Sequence, residues 1–348
     1  MYTKQPKKLL IMNILDILRR YSDADHRLSQ KDIIDILRNE YEMEADRKAI
    51  KRNLMNLIDF GYNIEFSESV RRNKSGEEEI IYTDWYLQRD FSDAELRLIV
   101  DSLLFSRHIP HGQCKRLIEK IEGLSNRYFK SKVRHVCCLP TNGIQNAELF
   151  YTIEILDEAI EKKRRVRFHY CDYGTDKKLH PRTDEKGNPK EYLINPYQMV
   201  AANGRYYLIA NTEPYDNITH YRLDRISKIK SDDTPSKSQR SMEGFENGLD
   251  LPRHMAEHIY MFSGESERVT MRTTPGMAGE LIDWFGDGVT FTEETEDSVT
   301  ASVCVNLQAM RFWALQYAPY VTVLSPQRLV DMVREDLKRA LDGYREEI

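Results

Sequence analysis

The sequence predicts a multidomain α+β protein, and three observations lead to that class. Near the amino terminus, three amphipathic helical stripes are followed by a pair of strands. In the middle, several segments alternate side-chain character at period two. Toward the carboxyl terminus, strands and helices interleave in the order β-α-β-β-α-β with one helix added. At 348 residues the chain is long enough for several such modules, each burying a core of its own.

The first module covers residues 1–88. Leu10, Ile14, Ile17, Leu18 and Tyr21 form one helical stripe. Ser29 with Asp32 makes a capping box that opens a second helix, with Ile33, Ile34, Leu37 and Tyr41 inward. A third helix, from about Ala45 to Phe60, stops at Gly61 and buries Ile50, Leu54, Leu57 and Ile58. At ~100° per residue, Lys48, Lys51 and Arg52 fall opposite that stripe, with Arg47 at its border. A hairpin follows, Ile64–Val70 and Ile80–Leu87, whose tip carries Arg71, Arg72 and Lys74. Three helices and then a hairpin is the order of a winged helix-turn-helix. In that fold a cationic helix face enters the major groove while the wing meets phosphates or the minor groove. The expected DNA-binding set is therefore Arg47, Lys48, Lys51, Arg52, Arg71, Arg72 and Lys74. The alternative is that these cations are simply a solvated helix face, since residues 1–85 hold 15 bases against 16 acids.

Residues 89–144 read as a helical connector. A capping box at Ser92 and Glu95 starts a helix through about His108, and a second helix covers roughly Gln113–Phe129. The segment is basic enough to touch DNA, but its expected role is to space two winged helices in a dimer. Cys137-Cys138 reads as two buried small side chains, with a redox pair as the alternative.

Residues 145–235 form the module on which the function turns. A helix with Leu149, Ile153, Leu156 and Ile160 on one face feeds a strand in which Val166, Phe168 and Tyr170 alternate with Arg165, Arg167 and His169. Asn203-Gly204 predicts a two-residue hairpin turn, because both positions tolerate positive φ. After it, Arg205, Tyr207 and Ile209 alternate with Tyr206, Leu208 and Ala210; further on, Tyr221 and Leu223 alternate with His220, Arg222 and Asp224. About five strongly bent strands predict a small, partly open barrel of the Sm or SH3-like kind.

Tyr206-Tyr207-Leu208 followed by Tyr221-Arg222-Leu223-Asp224-Arg225 resembles the WYL family, with Tyr206 standing where the family has tryptophan. The resemblance implies the same barrel and a role in sensing a nucleotide or nucleic-acid-like effector, with Tyr206, Arg222 and Arg225 at the ligand. Strand alternation adds Arg205, Arg167, His169 and His220, and with them Arg165. Guanidinium groups bind phosphate bidentately, and aromatic faces stack on bases. The alternative is that Arg222 and Arg225 pair with Asp224 and nearby acids while the tyrosines fill the core.

Ser231–Ser241 is polar and reads as a linker into residues 240–348. There the expected elements are a strand Arg268–Thr274, a helix Met277–Phe285 and strands Val289–Thr292 and Val299–Val305. A helix Leu307–Tyr317, a strand Tyr320–Leu324 and a last helix from Pro326, capped by Ser325, complete the set. This order predicts a ferredoxin-like α+β unit. It resembles the carboxyl-terminal extension of WYL regulators, Val323–Pro326 falling at that family's strand-to-helix turn, and the resemblance implies dimer contacts and transmission of ligand state. With 19 acids against 10 bases, this module is not expected to touch DNA.

Composition narrows the function classes. Hydrophobic content of 41%, charged content of 31% and a net charge of −5 fit a globular chain, not one that coats nucleic acid over its whole surface. No apolar run approaches the ~20 residues of a membrane span, and no signal peptide is predicted at the amino terminus. The odd count of 5 cysteines, without C-x-x-C spacing, fits reduced thiols in a cytoplasm. No P-loop, G-x-S-x-G or metal-ligand spacing is present, so the chain is not expected to be an enzyme or to hold a cofactor or metal. The order of modules resembles bacterial WYL-domain transcriptional regulators. The expected function is a homodimer on double-stranded DNA whose affinity an effector controls. The alternative is an accessory protein that binds single-stranded nucleic acid and modulates a defence or nucleic-acid-processing system.

Overall fold

The structure, a computed structural model, describes residues 6–72, 78–106, 109–129, 148–242 and 245–345. Its contacts divide the chain into two units, Met1–Thr141 and Asn142–Ile348.

In the first unit, helices α1 (Leu10–Tyr21), α2 (Gln30–Tyr41) and α3 (Arg47–Phe60) precede strands β1 (Ile64–Arg72) and β2 (Glu78–Leu87). The predicted stripes are the core: Ile14, Ile17, Leu18, Ile33, Leu37, Ile50 and Leu54 are fully buried around Trp85 of β2. The Ser29–Asp32 capping box forms in both directions. Asp46 caps α3 by accepting from Ala49 N at 2.7 Å, and Gly61 ends it at φ 110°, where a side chain would strain the backbone. Leu28, between α1 and α2, exchanges two 2.8 Å backbone hydrogen bonds with Trp85. The wing is thereby tied to the helices by a third short stretch of chain.

Helix α4 (Asp93–Phe105) starts at the reciprocal Ser92–Glu95 box, but it ends at Phe105, short of the expected His108. Helix α5 runs His111–Glu122, earlier and shorter than the expected Gln113–Phe129. Phe129 instead packs with Leu96 and Val100. The chain around it returns to the end of α1, where Arg89 donates to Ser22 O at 2.8 Å and Asn126 to Asp23 at 2.7 Å. Lys74, His108, Cys137 and Cys138 lie outside the described residues.

The second unit begins with α6 (Leu149–Glu161) and strands β3 (Arg164–Tyr173), β4 (Leu179–Pro181), β5 (Glu191–Ala202), β6 (Arg205–Asn211), β7 (Ile218–Arg222) and β8 (Ile226–Pro235). The antiparallel path is β8-β3-β5-β6-β7, with β4 also on β3. Among the described residues no ladder joins β7 to β8, so the sheet is an open curl without barrel closure. Asn203 (φ 52°) and Gly204 (φ 71°) make the tight β5–β6 turn. Val166, Phe168, Leu208, Ala210, Tyr221 and Leu223 fill the inside of the curl against Leu149 and Leu156 of α6.

The stretch expected as a linker is not one. Ser231–Pro235 belongs to β8 and pairs with Arg164–Val166, and Lys237 N donates to Asn195 at 2.9 Å. Beyond it, Met242, Phe245, Leu249, Leu251, Met255 and Met261 cover Val200, Tyr207, Ile209 and Ile218 on the outside of the sheet. A short helix in this cover, α7 (Leu251–Glu257), capped by Asp250, has no counterpart among the expected elements.

The remainder follows the expected order: β9 (Ser266–Thr273), α8 (Ala278–Phe285), β10 (Thr290–Thr292), β11 (Val299–Asn306), α9 (Leu307–Gln316), β12 (Val321–Ser325) and α10 (Gln327–Arg345). The sheet order is β10-β11-β9-β12, all antiparallel. Its core of Val269, Met271, Leu281, Val303, Met310, Trp313 and Leu329 is buried between sheet and helices. Among the described residues no helix is long and apolar enough to cross a membrane.

Candidate nucleic-acid and anion sites

On α3, burial of Ile50, Leu54 and Leu57 forces the intervening residues outward, so Arg47, Lys48 and Arg52 are exposed. Lys48, Arg52 and the exposed Asn56 follow one another at helical spacing of four, making a polar stripe along the helix. Lys51 is different. Its Nζ lies 3.8 Å from the centroid of the Tyr82 ring on β2, so it braces α3 against the wing. Arg71 and Arg72 are exposed at the end of β1, but the register sets them opposite Glu79 and Glu78. The Arg72 guanidinium is 3.9 Å from the Glu78 carboxylate. Arg72 is thus partly balanced, whereas among the described residues Arg47, Lys48 and Arg52 make no ion pair.

The second site lies where β3, β4 and the turn after β7 converge. Arg222 makes a two-pronged contact with Asp224, at 3.0 and 2.6 Å, and Tyr173 donates to the same carboxylate at 3.3 Å. The Arg222 backbone N–H donates to the Tyr170 hydroxyl at 3.0 Å. Arg225 reaches Asp172 at 3.1 Å, and Arg182 holds Asp172 at 2.7 and 3.2 Å. The Arg182 guanidinium lies over the Tyr170 ring at 5.0 Å, that of Arg225 over Tyr173 at 5.4 Å, and Lys190 over Tyr192 at 5.0 Å.

The electrostatics follow from these contacts. The hydrogen bond from Arg182 holds the Asp172 carboxyl below the usual carboxylate range, against its partial burial. Burial pushes the Tyr170 and Tyr173 hydroxyls up, so both are protonated donors at neutral pH. Three guanidinium groups against two carboxylates leave a net positive surface. The faces of Tyr170 and Tyr173 are taken by arginines, so a base entering here stacks on a guanidinium plane, Arg182 being the most open. Phosphate would compete with Asp172 for Arg182 and Arg225.

Arg182 and Asp172 are absent from the residues anticipated from the sequence. Arg182 sits in the loop after β4, where an Asp184–Gly187 turn folds the chain back. Its own N–H donates to Tyr170 O at 2.9 Å and thereby fixes its place beside the cluster. That turn was the available signal.

Of the anticipated ligand residues, the fold brings Arg222 and Arg225 to this cluster and places the others elsewhere. Tyr206 packs against the core inside the curl. Arg205 follows the Asn203-Gly204 turn and pairs in register with Ala202. Arg167 is ion-paired to Asp232 and, at 3.6 Å, to Glu191 on the far face of β3. Arg165 donates to Glu213 at 2.7 Å. His169, also on β3, has a buried Nδ1 without a hydrogen-bond partner among the described residues. His220 is turned to α7, with Nε2 2.7 Å from Nε2 of His254.

Comparison with known proteins bears on the second site. The family model described as "WYL domain" matches residues 151–231, and that described as "WCX domain" matches residues 265–341. No curated protein is a significant match. Among solved structures, the chain is similar to "Proteasome accessory factor B/C (PafBC) of Arthrobacter aurescens", with 15% identity over 98% of this chain and a TM-score of 0.29. It spans about half of that protein's length, 49%. It is also similar to the "Crystal structure of a CRISPR Cas-related protein", with 13% identity, coverage of 100% of this chain and 89% of that one, and a TM-score of 0.38.

Proposed function

We propose that this chain, which matches the WYL domain over residues 151–231 and the WCX domain over residues 265–341, is a transcriptional regulator. In this reading it binds duplex DNA through α3 and the wing, and an anionic, nucleotide-like effector at the Arg182–Arg222–Arg225 cluster controls its affinity. The observation that carries the DNA half is the exposed Lys48–Arg52 stripe on a helix whose other face is fully buried beside Trp85. Lys51 holds that helix and the wing in one geometry through Tyr82, as a groove-reading element requires. Regulation follows by linkage: an effector changes operator affinity only if it binds the DNA-competent and DNA-incompetent populations unequally.

Further parts of this reading are a homodimer on a two-fold operator, a cytoplasmic location, and binding without catalysis, cofactor or metal. The open curl is read as a variant of the Sm or SH3-like barrel. The β10-β11-β9-β12 order is read as ferredoxin-like.

Fluorescence anisotropy on duplex fragments tests the DNA half, comparing the parent with a Lys48→Ala/Arg52→Ala variant across salt. The parent binds one fragment preferentially, and the variant's log–log salt slope is shallower by about 2, one unit per lost phosphate contact. Equal slopes overturn the assignment to α3. The second reading, an accessory protein that binds single strands, is favoured by the guanidinium planes over Tyr170 and Tyr173. It predicts tighter binding to single strands than to any duplex, lost in Arg182→Ala and kept in the α3 variant.

A further inference from the structure

Three imidazoles outside both sites meet where the outside of the WYL sheet touches the chain entering the WCX domain. His220 on β7 has Nε2 2.7 Å from Nε2 of His254 on α7. His258, one turn later, stacks on His254 with ring centroids 4.1 Å apart and planes 21° apart, and its centroid lies 5.4 Å from that of His220. His254 and His258 are buried.

Proton placement here is constrained by geometry. Two nitrogens at 2.7 Å share one proton. The Nδ1 of His220 is buried and, among the described residues, has no hydrogen-bond partner. A lone pair is better tolerated there than an orphaned N–H, so His220 carries its proton on Nε2 and donates to His254, whose own proton then sits on Nδ1. A second proton on His220 creates a buried donor with no acceptor. Protons on both rings turn the hydrogen bond into two facing N–H groups of like charge. His258 behaves differently: Nδ1 faces the His254 carbonyl at 2.9 Å and Nε2 the Gly264 carbonyl at 3.3 Å, and carbonyls only accept.

The surrounding charges do not relieve this. Glu257 on α7 is paired with Arg253 at 2.7 Å and also engages Ser266 and Cys304. Asp250 caps α7, Asp216 before β7 is paired with Lys237, and Arg222 is held by Asp224. Glu265 lies in the strap beyond α7, on the wall of the adjoining cavity of about 650 Å³. Among the described residues, no carboxylate is hydrogen-bonded to any of the three rings. Burial, then repulsion from His254 and His258, lowers His220 to about 3. Burial, then His258, lowers His254 to about 4, with Glu257 opposing.

We propose that His220, His254 and His258 form a proton-operated clasp that holds β7 against α7 and couples the WYL sheet to the segment entering the WCX domain. The clasp is closed while His220 and His254 are neutral and opens when they take up protons. Its position gives it consequence, because His220 is two residues from Arg222 on the same strand, so opening loosens the strand that carries the anion site.

Both rings titrate lower when the clasp is closed than the ordinary histidine value of ~6.5, so the open form binds more protons. Closure is therefore fully favoured above about pH 6.5 and weakens as pH falls toward 4, by up to about tenfold in the open-to-closed ratio per pH unit for each ring.

Hydrogen exchange read by mass spectrometry on the full chain tests this at pH 7.5 and 5.0, with the intrinsic pH dependence of exchange removed. Peptides covering β7 and α7 are expected to exchange at least tenfold faster at the lower pH, while those of β11 and α9 hold their protection. The double variant His220→Gln/His254→Gln, which keeps donors and acceptors but removes both titrating rings, abolishes the step; should it fail to fold, His254→Gln alone reduces the step without abolishing it, because His220 still takes up its proton. The proposal is overturned if β7 and α7 stay protected at pH 5.0, if the step survives in the folded double variant, or if it is undiminished in folded His254→Gln.

Discussion

Asp224 is the acid held deepest in the arginine cluster, its side chain 10% exposed against 49% for Asp172. Asp224→Asn keeps the shape of that side chain and one acceptor oxygen while removing its charge. The Arg222 guanidinium, itself 15% exposed, is then left without its counter-ion. Breaking a buried pair from one side costs about 3–5 kcal/mol, and the retained acceptor places this case near 3. For a unit the size of Asn142–Ile348, each kcal/mol lowers the melting temperature by about 2–4 °C, so its transition falls by about 6–12 °C. Anion affinity moves the other way. Three guanidinium groups then face one carboxylate instead of two, and a unit charge roughly 6 Å from an anion is worth about 3 kcal/mol at an effective dielectric of about 20. Allowing half for screening by salt, affinity for a mononucleotide or short oligonucleotide rises at least about tenfold. Calorimetry gives both numbers, from unfolding scans and from titration with the anion. A variant that melts like the parent, or whose affinity falls together with its melting temperature, refutes the assignment of Asp224 as the charge that Arg222 carries in the empty site.

Other substitutions separate the parts of the account. Trp85→Ala removes a fully buried side chain that also carries the backbone bridge to Leu28, so the first unit loses about 3–5 kcal/mol in chemical denaturation while the second unit's transition stays put. Arg182→Ala leaves the Arg222–Asp224 pair intact, so it weakens oligonucleotide binding about tenfold or more with less than about 1 kcal/mol lost in stability, the guanidinium being 46% exposed.

What could be read in advance was local. Capping boxes at Ser29 and Ser92 rest on contacts three residues apart, and the Asn203-Gly204 turn on two backbone angles, so neither depends on distant chain. Helical stripes such as Ile50–Leu54–Leu57 were legible for the same reason. The site was harder because alternation tells which residues share a face but not what covers that face. Arg222 and His220 share one side of β7, yet His220 is claimed by His254, 34 residues on, while Arg222 turns to Asp224. The cover itself was hidden: Met242, Phe245, Leu249, Met255 and Met261 are apolar but follow neither period. Polar Ser231–Pro235 looked like a linker because only its edge position in β8, and not its composition, makes it a strand.

The measurement that bears most directly on the whole account is the duplex dissociation constant with and without a short single-stranded oligonucleotide, in the parent and in Arg222→Ala. If the WYL cluster regulates the winged helix, the oligonucleotide shifts duplex affinity by at least about fivefold to a plateau in the parent, and leaves Arg222→Ala unmoved. No shift in the parent, or a loss of duplex binding that deepens without limit as oligonucleotide is added, contradicts regulation from a separate site.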